Sequence, residues 1–412
     1  MTDKMLGIRI YYERIKQGLT LRQLARKTGV SFSNINRIEK GLVNPKKESL
    51  DTILKVLKIH YRNNVLAEKV MHHTLQDLYQ KILYVDYDKA KILAGNILKQ
   101  ESNYLASPLF IDYLIVMLIY AQHTQDKKVS KTLFYKACED LEPLMNEWQK
   151  EHFFMEKGLH LYFNDDRQGA YEHFTKDINK ISDKQIVAMC YYVMGAIFTE
   201  DYRRYNEALY YLDLSKEIFE QYANYKRSNR AKAIKQTVYI YTHRFTQFIK
   251  LAEETFNYAK TYDVKDLYAY TQLNMARYHI IREEYAEAID HLESVKFSDP
   301  SFMFLKVYSY FVSQRHMEAL HLINDKFEQN KRQYSPIHQY SIEAIHNALL
   351  HNDSDVAINK MRQAVEEAFS QSNYLMIQLL VKQFVSMLEA RRKYKEALSV
   401  SEKLYKVMRK IN

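Results

Sequence analysis

The chain of 412 residues is 47% hydrophobic and has only 8 glycines and 5 prolines, which predicts an almost entirely helical protein with a large core. Nearly all of its net charge of +10 belongs to residues 1–64, which contain 14 Lys and Arg and 5 Asp and Glu and therefore have a net charge of +9. A basic segment ahead of a nearly neutral remainder favours binding to nucleic acid or another polyanion. The longest apolar run, residues 113–121, is too short to cross a bilayer, so we expect no membrane span.

Glycines and capping residues divide the first 64 residues into four predicted helices. The divisions fall at Gly18, Thr20, Gly29, Ser31, Gly41 and the dipeptide Asn44-Pro45. Thr20 and Gln23 have the spacing of a capping box, in which each side chain satisfies a backbone amide at the start of the helix. Pro45 is expected at the first position of the fourth helix.

The second and third predicted helices fit a helix-turn-helix. This motif requires apolar residues facing the core, a small residue where the helices cross, and a residue that tolerates positive φ in the turn. Leu24, Val30, Ile35 and Ile38 are the apolar residues, Ala25 is the small residue at the crossing, and Gly29 is the residue in the turn. A structural helical hairpin is the alternative, and the basic charge favours the DNA-binding interpretation.

Residues 5–60 resemble the lambda-repressor/Cro-like (XRE-type) DNA-binding domain, most clearly in the stretch LTLRQLARKTGVSFSNINRIEKGLVNPKKESLDTILKVL. The resemblance implies a bundle of four or five helices whose third helix enters the major groove. It also implies a structural pair between Arg14 and Glu39. The sequence departs from the pattern at Leu21, where many relatives have a glutamine that binds a phosphate.

The isoleucines of the third helix are expected to point inward, so four other side chains face outward as candidate DNA contacts. They are Phe32, Ser33, Asn36 and Arg37. An arginine can bind guanine through two hydrogen bonds and an asparagine can bind adenine. The phenylalanine can contact a thymine methyl group, and the serine a base or a phosphate. The candidate phosphate partners, which position without specifying sequence, are Arg22, Lys40, Lys46 and Lys47. We therefore expect residues 1–64 to bind double-stranded operator DNA.

From about residue 66 the sequence is rich in tyrosine and a short phrase recurs. It reads YNEAL, YAEAI, HMEAL and YKEAL, with weaker copies YDKAK and SDVAI. Five of its alanines lie at positions 208, 288, 319, 357 and 397. Repetition at this period is typical of stacked helical hairpins.

The repeats resemble the tetratricopeptide repeat, in which a small residue on the second helix allows two helices to pack closely. We expect about nine hairpins over residues 66–412, stacked into a right-handed superhelix whose concave face suits a peptide. The predicted fold class is therefore all-α, a helix-turn-helix bundle followed by a superhelical array of tetratricopeptide-like hairpins.

An alignment of the clearest copy, residues 267–295, on its central alanine predicts which side chains face inward: Tyr270, Leu273, Asn274, Arg277 and Ile281. An inward asparagine can hold the backbone of an extended peptide through its donor and its acceptor. A solvated or interhelical asparagine is the alternative. The matching helices of neighbouring hairpins offer Thr237 and Tyr241, then Glu343, His346 and Gln383.

The basic N-terminal domain and the repeat array together resemble the RRNPP group of peptide-sensing regulators, which includes the Rgg, Rap, NprR, PlcR and PrgX types. The length and the number of repeats are closer to the NprR type than to the shorter PlcR type. Membership would imply a short signalling peptide as ligand and a homodimer on DNA. Residues 376–394, in the last hairpins, have the apolar density to supply dimer contacts.

The sequence contains no motif typical of a phosphate-binding loop, a zinc site or a nucleophilic hydrolase. We therefore expect no enzymatic activity, cofactor or metal. Cys138 and Cys190 are far apart in sequence, which fits a cytoplasmic protein without disulfides. An interaction scaffold that sequesters or dephosphorylates a response-regulator protein is the alternative function, since Rap-like members act without a readable catalytic motif.

Overall fold

The computed structural model describes residues 4–60, 65–124, 126–200, 204–295, 300–351 and 355–411. The regular elements in these ranges are helical, so the predicted all-α class is confirmed. Within them, no helix is both long and apolar enough to cross a membrane. The chain falls into two compact units, unit 1 (Met1–Ile186) and unit 2 (Val187–Asn412).

Unit 1 begins with four helices, α1 (Lys4–Lys16), α2 (Leu21–Thr28), α3 (Phe32–Glu39) and α4 (Lys47–Leu57). The predicted capping box is present, since the side chains of Thr20 and Gln23 each accept a hydrogen bond from the other's backbone amide. Gly29 ends α2 with a φ of 71°, as the predicted turn requires. The predicted start of α4 at Pro45 is wrong, because the backbone of Lys46 is extended and the helix begins only after it.

These four helices enclose a core of their own, made of Leu6, Ile10, Leu24, Ile35, Ile38, Ile53, Leu57 and Ile59. Helix α1 also packs outside this core. Its Ile8 belongs to the core of the following hairpins, and the guanidinium of Arg9 lies 5.2 Å from the ring of Phe110. The domain boundary predicted near residue 65 stays a prediction, and the packing of α1 crosses it.

The described part of unit 1 continues with three hairpins, α5 (Val65–Leu83) with α6 (Tyr87–Lys99), α8 (Phe110–Thr124) with α9 (Lys131–Leu141), and α10 (Glu147–Phe163) with α11 (Arg167–Asp177). The short helix α7 (Glu101–Leu105) lies between the first two hairpins. In each hairpin the two helices contact one another, and α8 contacts both α5 and α10. The first helices therefore stack in chain order.

Six more hairpins make up the described part of unit 2. The first three are α12 (Lys184–Thr199) with α13 (Tyr205–Gln221), α14 (Tyr225–Tyr241) with α15 (Phe245–Thr261), and α16 (Lys265–Ile281) with α17 (Tyr285–Glu293). The last three are α18 (Pro300–Val312) with α19 (His316–Leu322), α21 (Pro336–His351) with α22 (Asp355–Ser370), and α23 (Tyr374–Ala390) with α24 (Tyr394–Ile411). Helix α19 continues through a π-helical turn, Ile323–Phe327, into α20 (Glu328–Asn330). The expected number of about nine hairpins matches the nine in the described ranges.

The alanines of the recurring phrase lie near the start of the second helix of their hairpins. Ala208, Ala288, Ala319 and Ala357 have no exposed surface, and Ala397 is 4% exposed. A larger side chain at these positions would separate the two helices, because buried contacts are close-packed. The predicted role of the small residue is thus confirmed.

The turns of the hairpins explain how the array is built with so little glycine. Six residues at these turns have a left-handed backbone with φ between 55° and 65°: Val85, Asp165, His243, Glu283, Gln314 and Arg392. Three more, with φ between 49° and 53°, lie at the connections between successive hairpins: Ala223, Asp263 and Ser372. A left-handed residue other than glycine costs roughly 1–2 kcal/mol. The packing of the two helices must offset this cost at each turn.

Candidate functional site

The orientation of α3 is fixed by its buried face and by an ion pair at its end. Ile35 and Ile38 are at most 2% exposed. The guanidinium of Arg14 donates to Glu39 through Nε at 2.6 Å and Nη2 at 2.8 Å, and through Nη1 to the carbonyl of Leu19 at 2.8 Å. The hydrogen bonds to the carboxylate raise the pKa of Arg14. The implied structural pair is therefore present, and it ties the end of α3 to α1.

The four predicted base-contacting side chains lie on the surface of α3. Phe32 is 54% exposed, Ser33 and Arg37 are also exposed, and Asn36 is half-buried. An exposed aromatic side chain on an otherwise polar helix face has no structural role within this domain. The arrangement leaves these side chains accessible if α3 enters the major groove of DNA. Their contacts to bases stay predictions.

The predicted phosphate partners lie on α2, at the end of α3 and at the start of α4. Arg22, Lys40, Lys46 and Lys47 are exposed, and none of their side chains forms an ion pair or hydrogen bond with a described residue. Cations that are not neutralised by an ion pair create a positive potential, which attracts phosphates. Sequence reasoning missed Arg26, which is exposed one turn after Arg22 on the same side of α2. The spacing of four residues could have identified it.

A first cavity lies between the first helices of three hairpins in unit 2. It has a volume of about 220 Å³ and is lined by Tyr192, Arg230, Ala233, Ile234, Asp266, Leu267 and Tyr270. The predicted residue Tyr270 therefore lines a cavity. Arg230 and Asp266 form an ion pair beside it.

Asn274 is fully buried between α14 and α16. Its Nδ2 donates to the carbonyl of Ala233 at 2.9 Å and to Oε1 of Gln236 at 3.0 Å. Its Oδ1 accepts from Thr237 at 3.2 Å and from Arg277 at 2.9 Å. These four bonds use the full hydrogen-bonding capacity of the amide. The geometry fits the interhelical alternative, and a peptide would have to replace these partners, so the peptide-binding role stays a prediction.

Of the three other predicted peptide-binding residues, Thr237 is buried against Asn274, and Arg277 and Tyr241 have aromatic neighbours. Arg277 is half-buried, with its guanidinium 5.9 Å from the ring of Tyr270. Tyr241 is 8% exposed, and its ring lies 6.0 Å from that of Tyr205 and 5.8 Å from that of Tyr374. Burial raises the pKa of Tyr241, so its hydroxyl stays neutral.

Tyr374 joins the ninth hairpin to the fifth. Its hydroxyl lies 3.4 Å from Nε2 of His243, which is 131 residues away in sequence. Burial lowers the pKa of His243 and raises the pKa of Tyr374 to about 12, so both groups are neutral in this contact. An ion pair between Lys382 and Glu283 makes a second connection, from α23 to the turn of the sixth hairpin. Neither contact could be predicted from the sequence, because each joins residues that are far apart along the chain and share no local pattern.

The remaining residues predicted to face inward lie further along unit 2. Glu343 is 8% exposed and pairs with Lys331 and Lys360, and His346 lies 3.8 Å from Glu328. Gln383 lines a second cavity of about 370 Å³ between α18, α21 and α23.

Comparison with known proteins identifies the N-terminal domain and the fold of the array. The helix-turn-helix family HTH_3 matches residues 10–62. No curated protein sequence matches the chain.

Several solved structures share the fold at low identity. A Rap protein complexed with Competence and Sporulation Factor is 12% identical, with 83% of this chain and 98% of that chain covered and a TM-score of 0.67. NprR in complex with its cognate peptide NprX is 14% identical, with 80% and 99% covered and a TM-score of 0.56. Aspartyl phosphate phosphatase F from Bacillus subtilis is 13% identical, with 82% and 94% covered and a TM-score of 0.51. The chain thus has an XRE-type helix-turn-helix and the helical-repeat fold of the Rap and NprR proteins.

Proposed function

We propose that the protein is a cytoplasmic, DNA-binding transcriptional regulator of the RRNPP type, and that a short peptide bound between the inner helices of unit 2 controls its affinity for DNA. The observation that carries the proposal is the surface of α3, where the side chains predicted to contact bases are accessible, together with four exposed cations of the same domain whose side chains have no partner in the described chain. The peptide ligand is supported by the Rap and NprR structures, which contain Competence and Sporulation Factor and the cognate peptide NprX, respectively.

Gating by a peptide follows from the stacking of the hairpins. A ligand that contacts several first helices at once favours one arrangement of those helices over others. It can shift the equilibrium only by its difference in affinity for the two arrangements. The expected coupling to DNA binding is on the order of 1–3 kcal/mol.

Replacing Arg37 by alanine should weaken binding to the specific operator by about 1–3 kcal/mol and relax the preference at one base pair. The reason is the loss of a side chain that can donate two hydrogen bonds to guanine. Lys46→Ala is the matched control, because a phosphate contact should weaken binding to all sequences alike. Fluorescence anisotropy at one fixed salt concentration, with promoter DNA from upstream of the gene, measures both. Equal effects on specific and unrelated DNA would remove Arg37 from the base-reading surface.

The proposal includes a homodimer, since a single helix-turn-helix reads only half of a palindromic operator. The apolar side chains of residues 376–394 that the sequence offered for pairing are mostly buried within unit 2, Leu380 and Leu388 completely. Helix α24 instead exposes three large side chains, Tyr394, Leu398 and Tyr405, each 62% exposed.

Leu398→Glu should weaken dimerisation by about tenfold or more, because it places a charge in the centre of an apolar contact. Sedimentation velocity over a micromolar concentration series measures the change. Leu133→Glu is the matched control, as this leucine is 71% exposed on α9. A wild-type protein that stays monomeric with and without DNA, or equal effects of the two variants, would count against this dimer surface.

A second candidate function is favoured by the shared fold of aspartyl phosphate phosphatase F. In this alternative the array binds a phosphorylated response regulator and sequesters or dephosphorylates it. The lifetime of the aspartyl phosphate on response regulators from the same cell, with and without the protein, tests it. A shortened lifetime together with an absence of operator binding would favour this alternative.

A further inference from the structure

The second cavity of unit 2 lies where the first helices of the last three hairpins meet. Its volume is about 370 Å³. Six of its nine lining residues have apolar side chains: Phe311, Val312, Ala348, Leu349, Met387 and Ala390. The other three offer an imidazole, an amide and a hydroxyl: His316, Gln383 and Ser386. No Lys, Arg, Asp or Glu lines it. A small apolar cavity with a few polar groups is the usual form of a ligand site.

The cavity opens on the inner side of the hairpins. Lys382 of α23 pairs with Glu283, and Tyr374 of the same helix contacts Tyr241, so this face of α23 is directed towards the fifth and sixth hairpins. Ser386 follows Lys382 by one helical turn and therefore lies on the same face. The cavity thus belongs to the concave region where the peptide is proposed to bind.

The two cavities differ in whether their polar side chains already have hydrogen-bond or ion-pair partners within the protein. Beside the first cavity, Arg230 pairs with Asp266, and Asn274 makes four internal hydrogen bonds. At the second cavity, the side chains of Gln383 and Ser386 form no hydrogen bond with any residue of the described ranges. The Gln383 side chain is half-buried, and an amide without a partner can donate to and accept from a peptide group.

We propose that the second cavity binds one bulky, uncharged apolar side chain of the peptide, of the leucine, methionine or phenylalanine class, while Gln383 pairs with the adjoining peptide group. The identification of the ligand as a peptide rests on the proposed function. The volume excludes a large cofactor, and the lining contains no Lys, Arg, Asp or Glu that could pair with a charged side chain. The apolar walls supply most of the affinity and the amide fixes the orientation.

Two small probes test the site in the intact protein without the natural ligand. N-acetyl-leucinamide carries the apolar side chain and two amides, and N-acetyl-glycinamide carries only the amides. Saturation-transfer NMR should detect the leucine probe and not the glycine probe. Ala390→Trp should weaken binding of the leucine probe about tenfold or more by filling the cavity. Ala286→Trp, at an exposed alanine of α17, is the matched control and should change nothing.

Unchanged binding in Ala390→Trp, equal binding of both probes, or no binding of the leucine probe would each overturn the proposal. The result is separable from the proposed function. If the leucine probe binds as expected but no peptide alters DNA affinity, the gating is wrong and the cavity remains a binding site. If a peptide controls DNA affinity equally in wild type and Ala390→Trp, this cavity is not part of the peptide site.

Discussion

Replacing Glu39 by alanine should lower the free energy of unfolding of the helix-turn-helix domain by about 3–5 kcal/mol and abolish DNA binding. Arg14 is 6% exposed and directs two of its three guanidinium nitrogens to this carboxylate. Without Glu39, a buried cation would be left without its anion. The end of α3 would also lose its connection to α1, so the outward face would no longer be held in position.

Thermal unfolding of the intact protein, followed in parallel with operator binding, measures this effect. The double variant Arg14→Met, Glu39→Met is the control, because removing both charges avoids the cost of an unpaired buried ion. It should recover most of the lost stability. Arg37→Ala serves as the opposite control, since it should reduce DNA binding without changing the unfolding transition. A stable Glu39→Ala variant with normal DNA binding would show that the pair does not hold α3.

Replacing Asn274 by alanine should cost unit 2 about 3 kcal/mol or more. The substitution removes the partners of four groups at once: the carbonyl of Ala233 and the side chains of Gln236, Thr237 and Arg277. A buried polar group left without a hydrogen bond costs about 1–3 kcal/mol, and some of the four can reorient to limit the loss. The effect is large because α14 and α16 are both affected.

Chemical denaturation of the intact protein measures the loss. Thr237→Val is the matched variant, because it keeps the shape of the side chain and removes only the hydrogen bond to Oδ1 of Asn274. Its loss should be smaller than that of the alanine variant. An alanine variant with wild-type stability that fails only to respond to peptide would instead support the direct peptide contact predicted from the sequence.

The helix-turn-helix could be predicted almost completely because its determinants are local. The capping box of Thr20 and Gln23 and the left-handed Gly29 are fixed by residues within one or two turns. The predicted start of α4 was wrong because a proline is accepted both at the first position of a helix and in the segment just before it, where Pro45 lies. The second contact of α1, through Ile8 and Arg9, joins residues about 100 positions apart and has no local pattern.

The array could be predicted in outline, and its inner surface only in part. The recurring alanines marked where the second helix begins in five of the nine hairpins, because the same packing requirement recurs in them. Helical periodicity predicted that Tyr270 and Asn274 face inward. In the structure Tyr270 lines a cavity and Asn274 is fully buried. Periodicity does not distinguish a side chain that faces solvent from one that faces the next first helix, and this distinction decides the role of Asn274. The contact of Tyr374 with His243 depends on how the fifth to ninth hairpins, all in unit 2, are arranged relative to one another.

The central claim, that a peptide controls DNA affinity, is tested most directly by one titration. The intact protein is titrated onto promoter DNA from upstream of its own gene, at fixed salt, with and without synthetic peptides encoded by the nearest short reading frame. Fluorescence anisotropy should give a dissociation constant that changes about 5–150-fold with one of these peptides. The same dissociation constant with every peptide, or no binding to the promoter in any condition, would contradict the claim.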